Sequence, residues 1–315
     1  MFSNIRSLIF KLDPETAHSL AIKSLKFNFV PNILDEDRNN PLFETKLFDK
    51  DLENPIGIAA GFDKNAEVYN SLFKLGFGFV EVGTVTPLKQ YGNPKPRVFR
   101  LVEDEALINR LGFNNLGAQN IVNRIKRNNP IGLLGINIGP NKDSKDRLDD
   151  YIDCFNTFHE IADYITINIS SPNTQDLRNF HDQKKLDELL QMINKGKKNS
   201  NSNTPISVKV SPDINDIEIK SICDVLVNNN VEAVIVSNTS DSSRDELKNI
   251  QRYQKGGVSG KPIEHKSTNL IRKFYKILNG KIKIIGVGGV DSGKSAYEKF
   301  LAGANFIQLY TGMVF

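Results

Sequence analysis

The chain has 315 residues, 39% of them hydrophobic, which is enough for the core of one α/β domain. The net charge is only +4, and Lys and Arg are interspersed with Asp and Glu, which argues against a nucleic-acid-binding face. Cys154 and Cys223 form no C-x-x-C pair, so we expect neither a disulfide framework nor a zinc site, and a reducing compartment fits. No apolar run reaches the roughly 18 residues of a membrane span, and no signal-peptide core is present.

The first 40 residues differ in pattern from the rest. Leu8 and Leu12 belong to an apolar set near helical spacing, and Asp13-Pro14-Glu15 is typical of a second helix start, with an N-cap, a proline at N1 and a first-turn acid. Two short amphipathic helices with a slight basic excess could lie on a membrane surface. They could also cap the amino ends of a barrel, and the residues alone favour this second interpretation. We therefore separate an extension, 1–40, from a main domain, 41–315.

From about residue 56, short apolar runs alternate with helical patterns. Eight such runs occur, at 56–60, 77–85, 132–138, 164–169, 206–210, 233–236, 282–287 and 306–310. Continuous apolar strands separated by helices indicate a parallel sheet covered on both faces. Eight of them predict a closed (β/α)₈ barrel, the TIM-barrel fold, with an open doubly wound sheet as the alternative.

Two connections between these runs are long. Residues 86–115 carry no helical pattern and include a possible hairpin at 97–102, and residues 240–261 end in a glycine-rich stretch. Loops of this length are uncommon unless they are functional.

The carboxyl ends of barrel strands carry the chemistry of this fold. Asparagines recur there (Asn137, Asn168 and Asn238, with Asn173 just beyond), and neutral amides suit a planar heterocycle better than a hard metal ion. Glycines follow the last two runs, where such barrels bind phosphate. A buried lysine is costly without an anionic partner, so Lys209, inside an apolar strand, is expected to be functional. Together these features fit a flavin mononucleotide (FMN).

One competing motif is present. Residues 288–295, GGVDSGKS, match the P-loop expression between a strand and a helix. A P-loop ATPase needs further sheet with an acidic strand end that holds magnesium, and too little chain follows. We interpret the match as chance.

Nine stretches of the chain resemble the motifs of a known family. The stretches NPIGIAAGFDKN, GFGFVEVGTVTP, GNPKPRVFRL, LINRLGFNN, LGINIGPNK, NISSPNT, GGVSGKP, KSTNLIR and IIGVGGVDSG follow one another as in dihydroorotate dehydrogenases of the membrane-associated, quinone-reducing class. The resemblance covers nearly the whole chain. It implies oxidation of dihydroorotate to orotate in pyrimidine biosynthesis, with one FMN per chain and a membrane quinone as final acceptor.

The resemblance also assigns roles to residues. The base of this class is a serine on the loop after the fourth strand, here Ser171, whereas the soluble classes place a cysteine there. The loop after Ser171 is expected to act as a lid that excludes water. Lys209 is expected to stabilise negative charge on the flavin. The implied orotate contacts are Lys64, Asn109, Arg110, Leu111, Gly112, Phe113, Asn168, Asn173, Asn238 and Thr239. The implied FMN contacts are Ala60, Gly61, Lys64, Thr84, Asn137, Asn168, Lys209, Ser237, Gly260, Gly289, Tyr310 and Thr311.

The resemblance gives the N-terminal helices a role as well. They are expected to form an apolar slot for quinone, with His18 and Arg100 near it, and residues 1–30 are expected to contact the cytoplasmic face of a bacterial inner membrane. We expect a monomer, without a metal site or a nucleic-acid partner. Ser237 and Thr311 stand where threonine and serine are more usual, and both keep a hydroxyl. The family usually continues beyond the position of Phe315 with a closing helix of roughly 20 residues.

Three alternatives stay open on the sequence. One is another FMN-dependent barrel oxidoreductase, the second is a P-loop nucleotide hydrolase, and the third is a phosphate-binding barrel without redox chemistry.

Overall fold

The computed structural model describes residues 2–27, 40–174, 176–242 and 244–315, without the side chains of residues 2–5. Helices α1 (Phe2–Ile9) and α2 (Pro14–Lys26) confirm the two predicted helices. The Asp13 carboxylate caps α2, since it accepts hydrogen bonds from the backbone N–H groups of Glu15 and Thr16, both at 3.0 Å. Residues 28–39, the rest of the predicted extension, lie outside the described residues.

Thirteen strands and seven further helices follow in the described part of the chain, numbered in chain order. The strands are β1 (Thr45–Leu47), β2 (Lys50–Leu52), β3 (Ile56–Ile58), β4 (Phe79–Val85), β5 (Val98–Leu101), β6 (Ala106–Asn109), β7 (Leu133–Ile138), β8 (Tyr164–Asn168), β9 (Ile206–Val210), β10 (Ala233–Val236), β11 (Gly257–Gly260), β12 (Lys283–Val287) and β13 (Phe306–Leu309). The helices are α3 (Tyr69–Lys74), α4 (Ala118–Arg127), α5 (Arg147–Phe158), α6 (Gln183–Asn199), α7 (Asp216–Asn228), α8 (Glu264–Leu278) and α9 (Gly293–Leu301).

Eight parallel strands close into a barrel. Their order around it is β3-β4-β7-β8-β9-β10-β12-β13, and β13 pairs with β3. All eight correspond to the predicted apolar runs, with bounds that differ by two residues at most. The strands are almost fully buried because side chains fill the barrel inside and helices cover it outside. The closed barrel is confirmed, and the open sheet is wrong.

The hairpin β1–β2 closes the amino ends of the barrel strands. Leu47 and Leu52 are buried among first residues of barrel strands, including Phe79 and Tyr164. The Phe48 ring lies 5.2 Å from the Tyr164 ring, between centroids. The prediction that the N-terminal helices cap this end is therefore wrong.

The two long connections join into one antiparallel sheet. Residues 97–102, where a hairpin was expected, hold only the strand β5, and the hairpin extends beyond them to β6. Strand β11 adds to β6 with Val258 opposite Ile108. The pairing of β11 was not predicted. This sheet stands at the carboxyl end of the barrel, where it brings the two connections next to the strand ends.

Helix α2 is tied to this sheet by a partly buried ion pair. Arg97 donates from Nη2 to Glu15 Oε1 at 2.7 Å and from Nε to Glu15 Oε2 at 3.1 Å. Its Nη1 donates to the carbonyl groups of Tyr91 and Asn93. The bidentate geometry fixes the orientation of the helix as well as its distance. The N-terminal helices thus lie near the carboxyl end of the barrel.

Candidate active site

Three polar side chains meet at the ends of neighbouring strands β4, β7 and β8. Thr84 donates from Oγ1 to Asn137 Oδ1 at 2.6 Å. Asn168 donates from Nδ2 to Thr84 Oγ1 at 2.9 Å and to Asn137 Oδ1 at 3.1 Å. All three residues are buried, and mutual hydrogen bonds hold them in fixed orientations. They form a rigid polar surface across three strands.

A buried carboxylate lies beneath this surface. Glu81, on β4, is fully buried and accepts from Asn137 Nδ2 at 2.8 Å. It also accepts from the hydroxyls of Tyr164 and Thr166, both at 3.0 Å, and from Gln308 Nε2 at 3.1 Å. Four donors from three strands therefore converge on one carboxylate, and one of them, Asn137, belongs to the surface above.

Lys209 lies beside this network on β9, paired in register with Asn168 of β8. The residue is 5% exposed, and burial lowers the pKa of its ammonium group, which the negative charge of Glu81 partly offsets. Among the described residues, none accepts a hydrogen bond from Nζ. A buried ammonium with unused donors is suited to an electronegative ligand atom.

The loop after β8 carries adjacent serines with different partners. Ser170 donates from Oγ to Asn168 Oδ1 at 2.8 Å and accepts from Asn238 Nδ2, also at 2.8 Å. It thereby joins the ends of β8 and β10. Ser171 is buried, and its Oγ accepts only the backbone N–H of Asn173, at 3.2 Å, within the described residues. The hydroxyl proton of Ser171 is therefore not committed to a protein acceptor there.

Asn173 connects this loop to the antiparallel sheet. Its Nδ2 donates to the carbonyl oxygen of Asn109, the last residue of β6, at 3.0 Å. After Asn109 the chain turns sharply, with φ of +70° at Gly112 and +51° at Phe113. The segment after β6 is thereby brought against the loop that holds Ser171.

Lys64 lies at the end of β3. Its Nζ donates to the Gly61 carbonyl at 2.6 Å. Burial and, to a smaller extent, the charge of Arg97 lower the pKa of Lys64 to about 8, while Glu15 and Asp63 oppose the shift. The cation is thus largely protonated at neutral pH and suited to a carboxylate ligand.

Glycines with positive φ shape the opposite side of the site. Gly260, Gly288 and Gly289 have φ of +94°, +112° and +74°. A Cβ at Gly289 would lie 2.5 Å from the Cα of Glu264, so only glycine fits. Nearby, Thr311 donates from Oγ1 to Ser259 Oγ at 2.8 Å. These turns can present backbone N–H groups to an anion.

The chain is similar to known proteins in sequence and fold. The model of the family described as "Dihydroorotate dehydrogenase" matches residues 42–315. The chain is 45% identical over 323 residues to a "Dihydroorotate dehydrogenase (quinone)" of Teredinibacter turnerae, covering 100% of this chain and 95% of that protein. It is 46% identical over 316 residues to one of Bartonella henselae, covering 98% of this chain and 86% of the other.

The chain belongs to the dihydroorotate dehydrogenase family. A solved structure agrees: the dihydroorotate dehydrogenase of Eimeria tenella in complex with ferulenol has a TM-score of 0.92 and 35% identity. The alignment covers 96% of this chain and 87% of that one. The family is flavin-dependent in general.

The residues present fit a flavin mononucleotide. Gly61 has φ of +106°, and a Cβ placed there would have no atom within 4 Å, so a flat ring can approach the backbone. Lys209 offers unused donors on one side, and the glycine turns offer backbone N–H groups on the other. The donor set therefore suits both a polar ring and a phosphate.

Most predicted site residues lie at the carboxyl ends of the barrel strands or on the loops that follow them. The Arg110 side chain instead contacts neighbouring loops. Its guanidinium donates to the Gln254 side chain and to the Lys255 and Pro96 carbonyl groups, and stacks 4.6 Å from the Phe99 ring centroid. Arg110 thus joins loops, and only its backbone adjoins the predicted substrate segment. Asn109 likewise offers its carbonyl to Asn173.

A separate cavity of about 640 Å³ opens between the N-terminal helices and the end of the barrel. His18 and Arg100 both line it, together with Lys64, Leu111 and Tyr310. Burial and then the charge of Lys64 lower the pKa of His18 to about 4, so its ring is neutral at pH 7. The cavity therefore connects the apolar helix faces with residues of the polar site.

Arg100 contributes a buried cation to this cavity. Its Nη1 donates to the carbonyl groups of Phe10 and Leu12, at 3.1 and 3.3 Å. The guanidinium lies 4.4 Å from the Phe10 ring centroid. Within the described residues its buried Nε has no hydrogen-bond partner.

Sequence reasoning missed two parts of the site. One is Glu81, although a glutamate between Val80 and Val82 in an apolar strand is the same signal that singled out Lys209. The other is Arg178, which donates to the Ser170 carbonyl at 3.3 Å, to Asp241 at 2.7 Å and to Asp213 at 3.2 Å. These bonds fix the loop after Ser171 against the next two loops. Nothing in the local sequence pattern predicts such long-range partners.

The P-loop-like stretch has an ordinary structural role. Ser292 caps α9, and the Ser295 hydroxyl completes the capping box and lies 2.9 Å from Asp291 Oδ1. Lys294 is exposed on the first turn of the helix. These contacts cap the N-terminus of a barrel helix, and the closed barrel is not a P-loop fold.

Proposed function

We propose that this protein oxidises (S)-dihydroorotate to orotate with bound FMN, passes the electrons to a membrane quinone, and serves pyrimidine (UMP) biosynthesis. The observation that carries this proposal is the pairing of two sites. A polar site with asparagines, Lys209 and Ser171 adjoins an apolar cavity lined by the N-terminal helices, and Lys64 belongs to both. Relatives named "Dihydroorotate dehydrogenase (quinone)" support the same assignment.

One FMN binds per chain in this proposal, and when bound it supplies a hydride acceptor. Lys209 would hold the polar edge of the ring, and its positive charge would favour negative charge there. The glycine turns would hold the phosphate. The remaining contacts, by family resemblance, are Ala60, Gly61, Lys64, Thr84, Asn137, Asn168, Ser237, Gly260, Gly289, Tyr310 and Thr311.

Dihydroorotate is held by charge and amide contacts. Lys64 neutralises its carboxylate, and the amides of Asn168, Asn173 and Asn238 exchange donors and acceptors with its ring. Thr239 and the backbone from Asn109 to Phe113 complete the pocket. The Asn168–Thr84–Asn137 hydrogen bonds fix these groups before substrate arrives, which lowers the entropic cost of binding.

Ser171 removes the proton from C5 of dihydroorotate. A serine hydroxyl is a weak base, so it needs a proton relay and tight positioning. Burial of Ser171 and the hydrogen bond from Asn173 N–H supply the positioning. Arg178 holds the covering loop closed and excludes water during the reaction.

The quinone head enters the helical cavity. His18 is neutral there and can contact the head without a charged ring, and Arg100, which also lines the cavity, gives a second polar contact to the head. Exposed apolar residues of α1 and α2, including Leu8 and Leu20, contact the cytoplasmic face of the membrane as a peripheral attachment. Within the described residues no helix combines the length and apolar character needed to cross a bilayer. We propose a monomeric enzyme.

The test is an anaerobic titration of FMN-reconstituted protein with dihydroorotate, followed at the oxidised flavin band. Stoichiometric bleaching is expected, with colour restored by a quinone analogue but not by fumarate or NAD. A flavin that stays oxidised would contradict the substrate assignment. Restoration by fumarate or NAD would instead contradict the acceptor assignment.

A further inference from the structure

A lysine without a carboxylate partner is buried on helix α9, behind the glycine turn that follows β12. Lys299 is fully buried, with an exposed fraction of 0%. Its Nζ donates to Ser267 Oγ at 2.6 Å and to Thr268 Oγ1 at 3.1 Å, both neutral hydroxyls of α8. The stem of Lys299 packs beside Gly286 of β12, where a Cβ would lie 3.4 Å from Lys299 Cδ, an ordinary contact distance.

The charge of Lys299 is poorly compensated by the protein. Among the described residues, no carboxylate forms an ion pair with it, and the acid that acts on it from a distance is Glu264. Burial lowers the pKa of the lysine to about 8, so it remains mostly protonated at neutral pH. Burying an ammonium group with only hydroxyl partners is costly, and a bound anion nearby offsets that cost.

A hydrogen-bond chain connects Lys299 to the turn. Ser267 accepts from Lys299, and its one hydroxyl proton faces two carbonyl oxygens, of which that of Gly288, at 2.8 Å, is nearer than that of Glu264, at 3.1 Å. The carbonyl of Gly288 and the N–H of Gly289 belong to one planar trans peptide, so they point in opposite directions. Fixing the carbonyl toward Ser267 therefore turns the Gly289 N–H away from the helix and toward the site.

We propose that Lys299 is a positioning residue for the cofactor phosphate, acting through Ser267 on the Gly288–Gly289 peptide and supplying positive charge behind it. This inference rests on the proposed function, since it assumes that the turn holds the phosphate of FMN. Lys299 is not among the proposed FMN contacts, and its role would concern the phosphate rather than the ring.

The test separates the phosphate from the ring. FMN and riboflavin share the ring and differ in the phosphate, so their dissociation constants are measured by flavin fluorescence with apoprotein. Lys299→Met is expected to weaken FMN binding by about tenfold or more, because a buried charge interacts strongly with a nearby dianion, and riboflavin binding by less than about twofold. Lys294→Met is the matched control, since Lys294 lies exposed on the same helix, and it should leave both constants unchanged.

If Lys299→Met weakened the binding of FMN and of riboflavin equally, or did not weaken the binding of FMN, the inference would be overturned. If circular dichroism shows that Lys299→Met does not fold, the same two dissociation constants are measured for Ser267→Ala. That change removes the bridging hydroxyl and should weaken FMN selectively, and an unselective effect again overturns the inference. Wild-type apoprotein that binds no FMN would instead refute the proposed function itself.

Discussion

Replacing Glu81 should lower the free energy of unfolding by an amount set by the hydrogen bonds that its buried carboxylate accepts. Replacing Glu81 by alanine removes the acceptor for Asn137, Tyr164, Thr166 and Gln308. Each buried donor left without a partner costs ~1–3 kcal/mol. Water that enters the vacated space can satisfy some of them. We expect Glu81→Ala to lower the free energy of unfolding by about 3–6 kcal/mol.

Glu81→Gln should cost less, because the side chain keeps its shape and one acceptor oxygen. The hydroxyls of Tyr164 and Thr166 can reverse and accept from the new amide, whereas the Gln308 amide nitrogen has no such option. We expect a loss of about 1–3 kcal/mol. The negative charge that supports Lys209 also disappears, so the pKa of Lys209 should fall further.

The assay is equilibrium urea denaturation of the FMN-free protein, with Glu188→Ala as control because Glu188 is exposed on α6. The control should stay within about 0.5 kcal/mol of wild type, with an unchanged denaturant slope. Equal losses for the Ala and Gln variants, or a loss below about 1 kcal/mol for Ala, would refute the reasoning that four donors depend on this carboxylate.

Three further predictions concern catalysis and pH. Ser171→Ala should lower the rate of flavin reduction by about 10²–10⁴-fold while FMN content stays constant, and unaltered reduction would exclude Ser171 as the base. Because the pKa of His18 is lowered from 6.5 to about 4, the folded state binds fewer protons than the unfolded state in that window. Stability should therefore fall as pH drops from 6.5 to 4, and His18→Gln should show a smaller fall in denaturation at each pH. Glu15→Gln leaves the buried Arg97 without its carboxylate partner, so the free energy of unfolding should drop by about 1–3 kcal/mol in denaturation, and the quinone KM should rise in steady-state kinetics.

The barrel could be predicted from the sequence because buried parallel strands appear there as continuous apolar runs. Apolar runs such as 206–210 and 233–236 coincide with β9 and β10 residue for residue. Strand β11 was missed because its Gly257-Val258-Ser259-Gly260 sequence lacks the branched and aromatic residues that mark strands. The hairpin β1–β2 was missed because Phe48 and Asp49 adopt positive φ without the glycine that usually marks such a turn.

The candidate site was predicted where residue type and strand position both carry information. Asn137, Asn168 and Lys209 combine a polar side chain with the end of an apolar strand, so they were identified. The packing partner of α2 could not be predicted, since an amphipathic pattern defines a helix face but not what that face contacts. The contacts of Arg178 with Asp213 and Asp241 depend on loops that only the closed barrel brings together.

The central claim is that substrate and quinone use separate sites that share one flavin. Stopped-flow measurement of the two half-reactions tests it most directly, with Asn173→Ala on the substrate side and His18→Ala on the quinone side. We predict that Asn173→Ala slows flavin reduction by dihydroorotate and leaves reoxidation by a quinone analogue unchanged, and that His18→Ala does the reverse. If either variant slowed both half-reactions equally, the two sites would not be separate and the account would be contradicted.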